Sequence, residues 1–197
     1  MTSICFVRHG ETDWNALGKI QGQTDIPLNN NGRSQADECG RYLQDFEWDV
    51  MITSPLQRAK ETATIINKYL DLSLTEMNDF RERGFGDVEG MTFQERLEAF
   101  PDGIYPNQES FEELTERLVE GLQEIHQIHK GRKVLLVAHG AVINAILTNF
   151  SDGKIGSGKT RLVNGCINHI EWIEEVWQIK SYNQTGHLSA FNEKGKI

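Results

Sequence analysis

The chain has 197 residues, 38% apolar and 25% charged, with a net charge of −9 at pH 7, the balance of one globular domain rather than a disordered or fibrous chain. No apolar run reaches the roughly 18 residues of a membrane span, the N-terminal "MTSICFVRHG" lacks the basic-then-apolar layout of a secretory signal, and no Lys/Arg block offers nucleic acid a broad electrostatic footprint. Three cysteines, Cys5, Cys39 and Cys166, show no paired spacing, so reduced thiols in a cytoplasmic protein are expected.

The first apolar run, "SICFV" (3–7), is continuous rather than alternating. That pattern predicts a strand of a parallel sheet covered on both faces, and it runs into Arg8, His9 and Gly10. A helix is expected over 31–46, with Ala36, Cys39, Gly40 and Leu43 on one face. "DVMIT" (49–53) predicts the second strand. In the helical stretch that follows, "SPLQRAKETATIINKYL", Ser54 reads as the N-cap and Pro55 as the first helical residue, which places Arg58 in the first turn.

A weaker strand is expected within 72–77. Residues 80–110 carry Gly84, Gly86, Gly90, Pro101, Gly103 and Pro106 around one short helical piece, "TFQERLEAF". An insertion of this kind is commonly a functional loop or lid. The next helix, over 110–130, aligns Phe111, Leu114, Leu118, Leu122, Ile125 and Ile128 in one stripe. "KVLLV" (133–137) predicts a third parallel strand running into Ala138, His139 and Gly140, and "GAVINAILTNF" a buried helix.

"GKIGSGKT" (153–160) fits the phosphate-loop pattern G-x-x-x-x-G-K-[ST]. A helix end precedes it, however, and the strand-like "INHIEWI" (167–173) follows, so the strand–loop–helix setting that gives the motif meaning is missing. It reads as a coincidental match, leaving a nucleotide hydrolase dependent on Lys159 as a minor alternative. "INHIEWI" pairs across Glu174 and Glu175 with "EVWQIKSY" as a hairpin or antiparallel edge. The whole predicts one domain over 1–197, a three-layer α/β/α sandwich with a mostly parallel central sheet and an antiparallel edge strand.

Open parallel sheets bind ligands outside the carboxyl ends of their strands. Those ends should gather Arg8, His9, Arg58 and His139. Two guanidiniums grip phosphate or carboxylate oxygens with paired, charge-assisted hydrogen bonds, and helix starts add backbone N–H groups. Diffuse surface charge is screened over about 8 Å, whereas an Arg–phosphate contact at ~4 Å contributes roughly 4 kcal/mol at an effective dielectric of 20. A few converging arginines therefore outweigh the acidic surface locally.

No Ser or Cys sits in a nucleophile elbow, so a histidine is the candidate nucleophile or acid–base group. Neighbouring arginines keep it neutral, and the second histidine can donate a hydrogen bond to the charged oxygens. A zinc site built from both histidines and a carboxylate is the competing reading. Two arginines facing a dication, and the lack of H-x-x-x-H or H-E-x-x-H spacing, count against it. No metal and no cofactor is expected.

The stretch "FVRHGETDWNALGKIQGQTDIPLNNNGRSQA" strongly resembles the N-terminal signature of the histidine phosphatase superfamily, the phosphoglycerate-mutase-like proteins. The match continues in order through "TSPLQRAKETA", "RERGFGDVEG", "ESFEELTERL" and "VAHGAVINAIL", over most of residues 4–147. The resemblance implies that His9 is the nucleophile that becomes phosphorylated, and that Arg8, Arg58 and His139 bind and neutralise the transferring phosphoryl group. It makes Asn15 a phosphate contact, Gln21 and Gly22 a substrate-contacting turn, and Glu82 the proton donor to the leaving oxygen. Glu89, in the same glycine-rich loop, is the rival for that last role.

The activity so implied is metal-independent hydrolysis of a small phosphorylated metabolite, with no nucleic acid or membrane partner and no oligomeric state assigned. Mutases of the family carry a longer insertion after the proton donor. Here Glu109 follows Glu82 by only 27 positions, with no paired arginines between. A shorter lid should admit water, which favours a phosphatase over a phosphoglycerate mutase. Gln108 stands where many relatives have glycine, a departure that bears on the local turn. A regulatory module that binds phosphate and turns over little is the reading from another functional class.

Overall fold

The computed structural model describes residues 1–189. In chain order its elements are β1 (Ser3–Arg8), α1 (Asp13–Ala16), α2 (Asn30–Leu43), β2 (Val50–Thr53), α3 (Gln57–Leu70), β3 (Leu74–Glu76), α4 (Phe93–Ala99), α5 (Phe111–Ile128), β4 (Lys133–Ala138), α6 (Gly140–Asn149), β5 (Ile167–Ile173) and β6 (Val176–Gln184). The sheet order is β3-β2-β4-β1-β5-β6. β1, β2, β3 and β4 pair in parallel, while β5 runs antiparallel to both β1 and β6. Helix α2 packs on α3 and α5 on α6, and the helices flank the sheet as the strand–helix alternation predicts.

The continuous apolar runs are the central strands. Ile4, Phe6 and Val7 of β1, and Val134 to Ala138 of β4, are fully buried, because a strand covered on both faces has no side that tolerates polar residues. On α5 the predicted stripe is buried at Leu114, Leu118, Leu122 and Ile125. It stops a turn early: Ile128, the last helical residue, is 63% exposed where the chain leaves for the turn at Gly131. Ser110 caps that helix reciprocally with Glu113.

The expected cap of α3 is different. The helix starts at Gln57 with Leu56 in the cap position and no side-chain cap bond. Ser54 Oγ instead lies 2.7 Å from His139 Nε2, so the hydroxyl read as a helix cap is taken up by the site.

Close backbone contact fixes the turn after β1. A Cβ on Gly32 would lie 2.1 Å from the Glu11 carbonyl oxygen, and one on Gly10 would lie 2.3 Å from that of Gly32. Neither neighbour can swing aside. Gly32→Ala is expected to lower stability by about 1–3 kcal/mol, the usual range for overpacking, and to lower activity with it. Denaturant unfolding beside an activity assay checks this.

Candidate active site

The parallel strands β1, β2 and β4 end side by side, and each hands the chain to the residues predicted from the sequence. β1 ends in Arg8, with His9 next. β4 ends at Ala138, and His139 opens α6. Arg58 lies in the first turn of α3. All four side chains are at most 1% exposed, and the His9 and His139 rings lie 5.2 Å apart, inclined by 57°.

His9 Nδ1 is 2.7 Å from the Gly10 carbonyl oxygen. A carbonyl only accepts, so Nδ1 carries the proton and Nε2 keeps its lone pair. Burial, then the charges of Arg58 and Arg8, hold His9 well below the usual histidine range, against the pull of the Gly10 carbonyl. Burial, Arg58 and the neighbouring His9 do the same to His139. Arg58 is itself brought down to about 10, chiefly by burial, and stays cationic at neutral pH. The result is two neutral imidazoles beside two guanidiniums.

Stability should follow. With the folded-state pKa of both histidines far below the unfolded value near 6.5, the unfolded chain binds more protons as pH falls. Stability is therefore complete above about pH 7 and is lost on acidification, with a slope approaching about 1.4 kcal/mol per pH unit for each histidine. Urea unfolding at pH 7.5 and 5.5 reads this, and His139→Gln should make the slope shallower.

Arg8 donates to the Leu162 carbonyl, while Arg58 donates to Gly22 O (2.6 Å) and Thr24 O (3.0 Å). Arg58 thus ties down the Gln21–Gly22 turn, where Gly22 has φ +56° and a Cβ would fall on the Glu89 carboxylate, a backbone shape that suits only glycine. Asn15 Oδ1 is saturated by the Thr12 N–H and by Asn164 Nδ2. Gln21 Oε1 accepts from Thr12 Oγ1 at 2.9 Å.

Asn15 Nδ2, Arg58 Nε and His139 Nδ1 are buried without a partner among the described residues. Buried polar groups are nearly always paired. Orphaned nitrogens on Asn15, His139 and the Arg58 guanidinium itself, with Arg8 beside them, have the chemistry of an anion receptor.

Glu82, 8% exposed, sits at the rim of this cluster. Its carboxylate accepts from the backbone N–H groups of Arg83 (2.9 Å), Ala141 (3.2 Å) and Val142 (3.2 Å), at the start of α6. Its charge reaches both Arg8 and Arg58. Glu89 is occupied elsewhere, accepting from the N–H groups of Gln23, Thr24 and Phe85. It fastens the 80–110 segment to the Gly22 turn.

The sequence reading missed three polar residues here. Asn164 donates to the carbonyls of His9 and Gly10. Thr62 Oγ1 accepts from Gly10 N and donates to Arg58 O. Ser54 meets His139. Only Thr62 had a signal, its helical spacing of four from Arg58.

The phosphate-loop match lies apart from all this. Residues 153–160 form turns between α6 and β5, and Lys159 Nζ donates to the Gly153 carbonyl. Lys159→Ala should leave activity near that of the parent and stability within about 0.5 kcal/mol, as for surface positions generally, with no ATP binding by calorimetry in either protein. Among the described residues no three His, Cys, Asp or Glu side chains converge on a metal position, and no helix is long and apolar enough to cross a membrane.

A mostly parallel sheet whose strand ends gather two neutral histidines and two arginines defines an α/β protein with an anion-receptor site at the carboxyl edge of its sheet. The model of the histidine phosphatase superfamily (branch 1) matches residues 4–185, and the chain belongs to that superfamily. It is 56% identical to the uncharacterized phosphatase PhoE of Bacillus subtilis, over 97% of this chain and 99% of that one. It is 34% identical to a metal-independent phosphoserine phosphatase of Arabidopsis thaliana, over 96% and 84%. Its fold is similar to that of a phosphoserine phosphatase mutant from Entamoeba histolytica solved in complex with phosphoserine, with a TM-score of 0.84, 29% identity and coverage of 95% and 100%.

Proposed function

We propose that this protein is a single-domain, cytoplasmic, metal-independent phosphomonoesterase that works through a phosphohistidine at His9. The observation that carries the reading is the 2.7 Å bond from His9 Nδ1 to Gly10 O, which leaves Nε2 as a neutral nucleophile among Arg8, Arg58 and His139. Nε2 attacks phosphorus, the P–O bond to the alcohol breaks, and Glu82 protonates the departing oxygen. Water then attacks the phosphohistidine, giving its proton to Glu82, and the P–N bond breaks to release phosphate. Arg8, Arg58, His139 and Asn15 neutralise the equatorial oxygens, as phosphoryl transfer requires. Gln21 and Gly22 border the substrate.

A small phosphorylated metabolite is the substrate class. Phosphoserine, which the Entamoeba protein holds, is the first to assay. The short segment between Glu82 and Glu109 supports hydrolysis over mutase transfer. The unpaired, buried thiols of Cys5, Cys39 and Cys166 fit a reducing compartment. Turnover of p-nitrophenyl phosphate in the presence of EDTA tests the proposal, and no turnover of this or of phosphoserine would overturn it.

A further inference from the structure

Ser54 was expected to cap a helix and instead spends its hydroxyl on His139, and that contact carries a consequence for the histidine's tautomer. Ser54 Oγ accepts the Leu56 N–H at 3.3 Å and lies 2.7 Å from His139 Nε2. Both residues are fully buried. A serine hydroxyl has one proton to give, and no other acceptor for it stands among the described residues. If Nε2 were the protonated nitrogen, Ser54 Oγ would receive two N–H bonds and its own proton would lack an acceptor among the described residues, at the cost of an unmade buried bond. With the hydroxyl donating to Nε2, every group on that side is satisfied. The imidazole proton then sits on Nδ1, the buried nitrogen that has no protein partner.

We infer that Ser54 is a positioning residue that locks His139 as its Nδ1–H tautomer, so that Nδ1 presents a donor to an oxygen of the bound phosphoryl group. The inference rests on the phosphatase reading for its purpose, and on donor counting alone for the tautomer. Burial and the adjacent arginines keep the ring neutral, so the tautomer decides whether His139 offers the phosphate a hydrogen or a lone pair. An Nε2–H ring would turn a lone pair toward an anion.

The experiment is long-range ¹H–¹⁵N correlation on protein with ¹⁵N-labelled histidine, the His139 signals being assigned by their loss in His139→Gln. The wild type should show Nδ1 protonated and Nε2 bare, with the Nδ1 proton moving on addition of orthovanadate. Ser54→Ala should shift population to the Nε2–H tautomer. It should also lower kcat roughly 10–100-fold, by analogy with the partners that orient metal-ligating histidines, with KM changed less. A wild-type proton on Nε2 overturns the inference whether or not the variant folds. So does an Nδ1 proton unmoved by orthovanadate that binds, or a folded Ser54→Ala with unchanged tautomer and kcat. Absence of any phosphatase turnover would fell the functional reading instead and leave the tautomer result standing.

Discussion

His9→Ala is expected to lower kcat/KM toward p-nitrophenyl phosphate by roughly 10⁴–10⁶-fold, the scale on which removing a covalent nucleophile acts. Among the described residues the imidazole makes one side-chain hydrogen bond, to its neighbour's carbonyl, so no network collapses with it. Arg8, Arg58 and His139 stay in place, and orthovanadate should still raise the melting temperature of the variant. Wild type quenched during turnover of ³²P-labelled substrate should carry an acid-labile, base-stable label that His9→Ala lacks. A variant that keeps its fold and near-parental activity would remove His9 from the chemistry.

The second large effect is expected at Glu82. Glu82→Gln should lower kcat for an alkyl phosphate such as phosphoserine by roughly 10²–10⁴-fold, the usual contribution of a positioned acid–base group. With p-nitrophenyl phosphate the leaving group departs without help, so the first step survives while hydrolysis of the phosphohistidine still lacks its base. Stopped flow should therefore show a burst of nitrophenolate equal to the enzyme, followed by slow turnover.

The substitution also turns an amide NH₂ toward at least one backbone N–H, that of Ala141 if the amide oxygen keeps the bonds from Arg83 and Val142, at a cost of about 1–3 kcal/mol. Thermal unfolding separates that loss from catalysis. Glu82→Asp, which keeps the charge and shortens the reach, is the companion variant. A linear time course without burst, at near-parental rate on both substrates, would transfer the role away from Glu82.

Much of this site was readable from the chain because a parallel sheet projects local order into space. Each of three continuous apolar runs had to be a central strand, and whatever follows such strands meets at one end of the sheet, which brought Arg8, His9, Arg58 and His139 together. The contacts that refine the site join positions far apart, and nothing local encodes them. Ser54 and His139 lie 85 positions apart, and Asn164 and His9 lie 155 apart. Ser54 shows the difficulty well: Ser-Pro before a helical stretch is a sound capping signal, and tertiary structure redirected the hydroxyl. Only the resemblance favours Glu82 over Glu89, since both are acids in one glycine-rich loop. The two differ in their partners: Glu82 accepts from the N–H groups of Ala141 and Val142, next to His139, and Glu89 from those of Gln23, Thr24 and Phe85.

Helix α4 buries none of its residues; Phe93 and Leu97 stand 63% and 46% exposed. This helix thus owes little to the hydrophobic interior, whereas the strands that lead to His9 and His139 are part of it. Substitution along α4 carries almost no thermodynamic penalty, and substitution along those strands does. On the proposed phosphatase reading, descent can alter α4 freely while the surroundings of His9 stay fixed.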